Sequence, residues 1–295
     1  MVNAILPRHT FQFLYISPMD YLATNRKTWD TRTDQHIGSS FYDVKGWLAG
    51  NTSLNSIELE ILGDIKGKKV LHLMCHFGMD TLSMARMGAE VTGLDLSPRA
   101  IEEANKLAYK AGLEATFVNG DVYSAPDLID EKFDIVFMSY GTIGWLPDIR
   151  QWGRVVVDFL KPGGRFVFAE FHPALWMLDE EYQFVKYRYF TGSDPIIDTE
   201  GTYTDVKEEK LQTMVSWNHG LADVINALHD QQPRAEHEDP RASAGLSLKH
   251  FEEYDYSPYP IFGEKEAVLA PGQWGIKGME RKLPLVYSLV MCKAS

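Results

Sequence analysis

The chain has 295 residues, room for one large or two small folded units, and its 45% hydrophobic and 12% aromatic content suffices for a packed core. A formal net charge of -12, from 41 acids against 29 bases and with no Lys/Arg run, argues against a nucleic-acid backbone as the main partner. Two cysteines cannot build a disulfide framework, no apolar stretch approaches ~20 residues, and no basic-then-apolar leader opens the sequence, so the expectation is a cytoplasmic protein with no membrane partner.

Residues 1–55 precede the first expected strand and read as a separate N-terminal lid segment. Asn25-Arg26-Lys27-Thr28-Trp29-Asp30 is polar with one large aromatic. Trp29 or Phe41 facing a ligand is one reading, and Trp29 packing on a sheet flank is the other. Ile57, Leu59, Ile61 and Leu62 suggest a short helix toward Gly67, with Asn55 as N-cap. Lys68 to Pro98 then organises the chain. Val70–Met74 is a short apolar strand, Cys75 to Gly78 a tight turn, and Leu82, Ala85 and Arg86 lie at helical spacing before Gly88. A second strand, Glu90–Leu94, stops at Asp95. A right-handed βαβ unit of this kind sets a carboxylate at the second strand's end, where it can accept from both hydroxyls of a ribose. The turn holds a single glycine, and the side chains of Met74 and His76 crowd the approach a pyrophosphate needs. A phosphate-free nucleoside fits better.

VLHLMCHFG followed by GAEVTGLDLSPRAIEEA resembles the first two motifs of the class I S-adenosylmethionine-dependent methyltransferases. That family usually shows an acid and then three alternate glycines. Here His72 holds the acid's place, Met74 and His76 hold the first two glycine places, and Gly78 keeps the third. The resemblance implies an α/β fold, a doubly wound, mostly parallel seven-stranded sheet with an antiparallel last strand, over residues 56–295.

Downstream, Ser97 caps a helix that starts at Pro98, carries Ile101, Ala104, Leu107, Ala108 and Ala111 on one face, and closes at Gly112. Ala115–Val118 reads as a third strand leading to Asn119-Gly120-Asp121-Val122. The family binds the adenine amino group with an acid at this point, and Asp121 matches; the plain alternative is an Asp in a turn. Phe133–Met138 is a fourth strand ending at Ser139-Tyr140-Gly141-Thr142, the edge where doubly wound sheets bind ligands. The Asn/Asp-Pro-Pro-aromatic and Pro-Cys motifs of nucleic-acid methylating enzymes are absent there. A helix over Pro147–Leu160, the turn Lys161-Pro162-Gly163-Gly164 and a strand Arg165–Ala169 resemble a late signature of the same class. That strand runs into Glu170-Phe171-His172-Pro173. His172 is the first candidate for a general base, against a strand-end histidine that bonds a loop.

Residues 176–216 read as an inserted antiparallel hairpin or small sheet over the active-site edge. A strand is expected through Tyr182, Phe184, Tyr187, Tyr189 and Phe190, and a pair over Ile196–Thr204 and Lys210–Trp217. Its aromatics suit either an acceptor pocket or a dimer surface. Asn218 is expected to cap a helix His219–His229, and Gln231–Ala244 to form a polar loop whose Glu236-His237-Glu238-Asp239 reads as solvated charge rather than metal ligands. Ser247–Tyr254 and Leu283–Cys292 complete the strands, and Asp255 to Pro260 forms an aromatic loop between them.

The resemblance implies methyl transfer from S-adenosylmethionine to a small-molecule acceptor, leaving S-adenosylhomocysteine, in a monomer or homodimer. The expected cofactor-binding set is Trp29, Cys75, His76, Gly78, Asp95, Leu96, Asp121, Val122, Ser139 and Tyr140. Tyr140 and His172 are the catalytic candidates, and His76 is a second candidate base or a space-filler. No metal is expected. Two rivals stay open: a protein that binds S-adenosylmethionine without turnover, as sensor or scaffold, and an NAD-linked oxidoreductase.

Overall fold

The apolar runs of the chain's middle become neighbouring strands in a computed structural model, which describes residues 20–204, 211–231 and 245–295. In chain order the elements are α1 (Tyr21–His36), α2 (Val44–Leu48), α3 (Ser56–Leu62), β1 (Lys69–Leu73), α4 (Met79–Arg86), β2 (Glu90–Asp95), α5 (Pro98–Ala111) and β3 (Thr116–Asn119). There follow α6 (Ala125–Leu128), β4 (Phe133–Met138), α7 (Ile149–Phe159), β5 (Leu160–Phe171), β6 (Ile196–Glu200), β7 (Gln212–Ser216) and α8 (Leu221–His229). The last four are β8 (Ser247–Tyr254), β9 (Glu266–Ala270), β10 (Gln273–Ile276) and β11 (Val286–Cys292).

Seven strands form one sheet in the order β3-β2-β1-β4-β5-β11-β8. β1 to β5 pair in parallel, and β11 runs antiparallel between β5 and β8, from Val286 opposite Phe171 to Cys292 opposite Arg165. The expected α/β fold is therefore present. Strand order reverses between β1 and β4, so a crevice opens beyond their carboxyl ends. Helices cover both faces. Leu71, Leu73, Val136, Met138 and Phe168 pack toward Trp152 and Val156 of α7, while Val70, Ile135, Phe137 and Val167 pack toward Ile57, Ile61 and Leu62 of α3.

Local chemistry sets the helix ends. The Ser97 hydroxyl accepts from Ala100 N at 2.9 Å, Pro98 starts α5, and Gly112 ends it at φ 63°. Asn55 is the N-cap of α3, and the Glu58 carboxylate accepts from its N–H at 3.2 Å.

Four features differ from the sequence expectation. Residues 182–190 form no strand: Tyr182 has φ 55°, Asp179 ties the turn by accepting from Gln183 N and Phe184 N, and a lone bridge joins Leu178 to Val185. Asn218 does not cap α8. The helix begins at Leu221 after Gly220, and the Asn218 amide instead donates to Pro173 O and Arg188 O, both at 3.0 Å. The fifth strand starts at Leu160, five residues earlier than expected, so the Lys161-Pro162-Gly163-Gly164 turn lies within it. The hairpin β9–β10 has no counterpart among the expected elements. The inserted sheet is β6–β7, with Ile196 opposite Ser216. The Glu236 to Asp239 run lies outside the described residues.

Candidate active site

A cavity of about 1510 Å³ opens at the carboxyl ends of β1, β2 and β4. That exceeds the ~300–1,000 Å³ of a typical single-ligand pocket, so it has room for a nucleoside cofactor and an acceptor together. All ten residues expected to bind cofactor line it.

The turn after β1 takes a glycine-like backbone path with a single glycine. Met74, His76 and Gly78 have φ of 59°, 50° and 78°. These are the three positions at which the resembled family alternates glycine, and here all three are left-handed. A non-glycine residue there costs about 1–2 kcal/mol. Only at Gly78 is glycine required by space as well: an added Cβ would lie 2.7 Å from the Phe117 ring. His76 N donates to Asp95 Oδ2 at 2.7 Å and Cys75 N to Leu94 O at 2.9 Å, and these bonds pin the turn against β2.

Asp95 also accepts from Ser97 N at 2.9 Å, which leaves each carboxylate oxygen with capacity for a ribose hydroxyl. Burial pushes its carboxyl up to about 6, against the pull of the Ser97 and His76 N–H groups. Asp121 performs the turn role: it accepts from Tyr123 N, Ser124 N and the Ser124 hydroxyl while lining the cavity. Cys75 and Val122 are buried, and burial pushes the Cys75 thiol well up. Ser139 donates to Asp80 Oδ2 at 3.4 Å.

Helix α1 lies over this region. The ring of Trp29 stands edge-on to His76 and to Trp145, at 5.2 and 5.4 Å. His36 Nδ1 is 2.9 Å from His76 Nε2, and His36 Nε2 is 2.7 Å from the Thr202 hydroxyl, so α1, the turn and the segment after β6 meet in one chain of contacts. Burial lowers the His36 ring to about 3 and His76 well below its usual range, which keeps both neutral. His76 Nδ1 and His72 Nε2 are buried and have no protein partner.

His172 does not belong to this site. It is absent from the cavity wall; its Nε2 lies 2.8 Å from Glu253 Oε1 on β8, and its Nδ1 accepts from Ala174 N at 3.0 Å. Its role is the strand-end contact, and the general-base expectation is withdrawn. Its neighbour Glu170 carries no sequence signal of its own, yet it accepts from Gly141 N, Thr142 N, Ile143 N and Phe171 N and so shapes the loop carrying Tyr140. Tyr140 donates to Glu58 Oε2 at 2.8 Å, and burial keeps its phenol neutral. Sequence reasoning also misses Glu58 and Asp80. Both are acids in the first turn of a helix, Asp80 two residues past Gly78, and that placement is the available signal.

Comparison with known proteins bears on the domain and the fold. Residues 70–164 match the family described as "Methyltransferase domain". A ubiquinone biosynthesis O-methyltransferase of Photorhabdus laumondii is 31% identical over 137 residues, 45% of this chain and 57% of that enzyme. The namesake of Proteus mirabilis is 29% identical over 147 residues, 46% and 60% of the two chains. The matched region thus spans less than two thirds of these relatives. Among solved structures, an S-adenosylmethionine-dependent methyltransferase from Clostridium acetobutylicum superposes with a TM-score of 0.54 at 14% identity, covering 91% of this chain and 99% of the other. One from Methanosarcina mazei gives 0.52 at 18% identity, covering 82% and 98%.

Proposed function

We propose that this protein transfers a methyl group from S-adenosylmethionine to a small-molecule acceptor, a reading supported by the match of residues 70–164 to a methyltransferase domain and by the shared fold. One observation carries the reading. Asp95 and Asp121, at the ends of adjacent strands, and the left-handed turn 74–78 all line one cavity. In this reading Asp95 binds the ribose, Asp121 and Val122 meet the adenine, and the turn backbone passes beneath the methionine portion. The cofactor supplies a methyl on a sulfonium, which needs alignment, a dry site and a free lone pair on the acceptor. Trp29 and Tyr140 supply ring faces for that cation, a contact worth about 0.5–2 kcal/mol. The Met74 and His76 side chains stand where a pyrophosphate would enter, which disfavours the nicotinamide alternative.

Calorimetry with S-adenosylhomocysteine and with NADH, followed by turnover on a panel of phenols, amines and thiols, tests the proposal. The expected result is S-adenosylhomocysteine binding, no NADH binding, and methylated product with at least one acceptor class. NADH binding in preference would overturn it, and binding without turnover on the whole panel would favour the sensor.

A further inference from the structure

Two carboxylates at the cavity have no task in the reading above. Asp80 lines the wall and meets the hydroxyls of Ser53 and Ser139. Glu58 is fully buried directly behind two wall residues, Tyr140 and Asn55, and bonds both. Among the described residues no ion pair reaches either acid. Of the cations on the cavity wall, Lys265 pairs with Glu181 at 2.8 Å, and Arg32 donates to Gly201 O and acts on His36 and His76. Burying unpaired carboxylates is costly, and a cation from a ligand would offset it.

Resting on the methyltransferase reading, we propose that Asp80, with Glu58 behind it, forms a receptor for an ammonium group, and that the methyl acceptor carries it: a primary or secondary amine on an apolar frame. Three further observations point this way. Rings adjoin the acids: Tyr259 lies 5.1 Å from Tyr140 and stacks 5.6 Å from Phe41, a wall suited to cation–π contact. His72, 2% exposed and on the same cavity wall, offers a partnerless Nε2, and burial keeps its ring neutral, so it supplies no competing positive charge. Finally, Glu58 is held by α3, by Tyr140 and by its Asn55 neighbour, elements separate from the β2 and β3 ends that carry Asp95 and Asp121.

The pair also has a use in the chemistry. Burial, with the Glu58 charge adding to it, pushes the Asp80 carboxyl up to about 7. An ammonium must lose a proton before it can accept a methyl. The N–H bond breaks, its electron pair stays on nitrogen, and the proton passes to a carboxylate oxygen of Asp80.

The cofactor's amino-acid tail also carries an ammonium, so the test separates the two. With the wild type saturated in S-adenosylhomocysteine, calorimetry compares arylalkyl amines, beginning with 2-phenylethylamine, against their alcohol isosteres. At least one amine should bind ten times or more tighter than its alcohol. Asp80→Asn should remove most of that preference and Glu58→Gln about half of it, each moving S-adenosylhomocysteine affinity less than twofold. No amine preference in the wild type, or a preference untouched by both substitutions, overturns the proposal; the wild-type comparison decides it even if a variant fails to fold. If the variants lose S-adenosylhomocysteine but keep 5′-methylthioadenosine, which lacks the tail, the ammonium is the cofactor's and the acceptor assignment falls. Failure of the wild type to bind S-adenosylhomocysteine sinks the methyltransferase reading and this proposal together; binding without amine preference sinks this one alone.

Discussion

The two halves of the cavity are built differently. The half at the ends of β2 and β3 is held by bonds close in sequence: Asp95 accepts from Ser97 two residues on and His76 nineteen back, and Asp121 accepts from Ser124 three residues on. The half under α1, α3 and the insert is held by bonds spanning 82 residues from Tyr140 to Glu58, 166 from His36 to Thr202, and 190 from Asn25 to Val215. Short-range bonds fix a site as soon as its βαβ unit forms. Long-range ones exist only once the whole chain has folded, and in this lid they come from polar side chains.

The largest expected effect lies in the short-range half. Asp95→Ala removes the acceptor of two ribose hydroxyls and also frees His76 N and Ser97 N. Hydrogen bonds to a charged group contribute ~1.5–3 kcal/mol each, so loss of two should lower S-adenosylhomocysteine affinity by about 100-fold or more by calorimetry. An affinity within threefold of wild type would take Asp95 out of the ribose site. The long-range half should answer through stability instead. Asn25, 2% exposed, matches both backbone groups of Val215 on β7: Nδ2 donates to its oxygen at 2.8 Å and Oδ1 accepts from its nitrogen at 3.0 Å. Asn25→Ala strands both groups and should cost about 2 kcal/mol. A melt should fall by roughly 3 °C. A melt unchanged to within a degree would mean that α1 does not depend on this edge contact.

The same contrast sorts what is legible in the amino-acid sequence from what is not. The α5 cap at Ser97-Pro98, its apolar stripe and the buried strands β1, β2 and β4 are local patterns, and each appears within a residue of where it is expected. Helix α1 has no apolar stripe, because the face it buries is Asn25, Thr28, Arg32, Thr33 and His36. Asn25, Thr28 and Arg32 among them reach β7, where Thr28 donates to Thr213 O at 2.7 Å. His172 misleads because it ends the right strand, and period alone does not reveal that the chain turns its ring toward β8 there. Glu58 and Asp80 look like ordinary helix-start acids. Only the folding of α3 and α4 against the β4 loop brings them together beside the cavity.

The smallest effect separates the halves by pH. With its carboxyl raised to about 6, Asp95 is mostly ionised at pH 7 and mostly protonated at pH 5. A protonated carboxyl offers the ribose one acceptor fewer, so S-adenosylhomocysteine affinity should fall about tenfold between those values, one factor of ten per unit below the pKa. The Asp95 share of the unliganded protein's stability should move the other way. A carboxyl raised in the folded state binds its proton more tightly there than in the unfolded chain. Its contribution is therefore least favourable above pH 6 and improves as pH falls toward the ordinary carboxylate range. Asp80, raised to about 7, adds to the same trend at slightly higher pH. The buried neutral rings of His36, His72 and His76 pull stability down over the same interval. The Asp95 share therefore reads as a difference: Asp95→Asn should flatten the affinity curve, and its stability gap to the wild type should narrow as pH falls from 7 to 5. An affinity curve as steep in Asp95→Asn as in the wild type would mean that the cofactor's ribose is held by a group other than this aspartate.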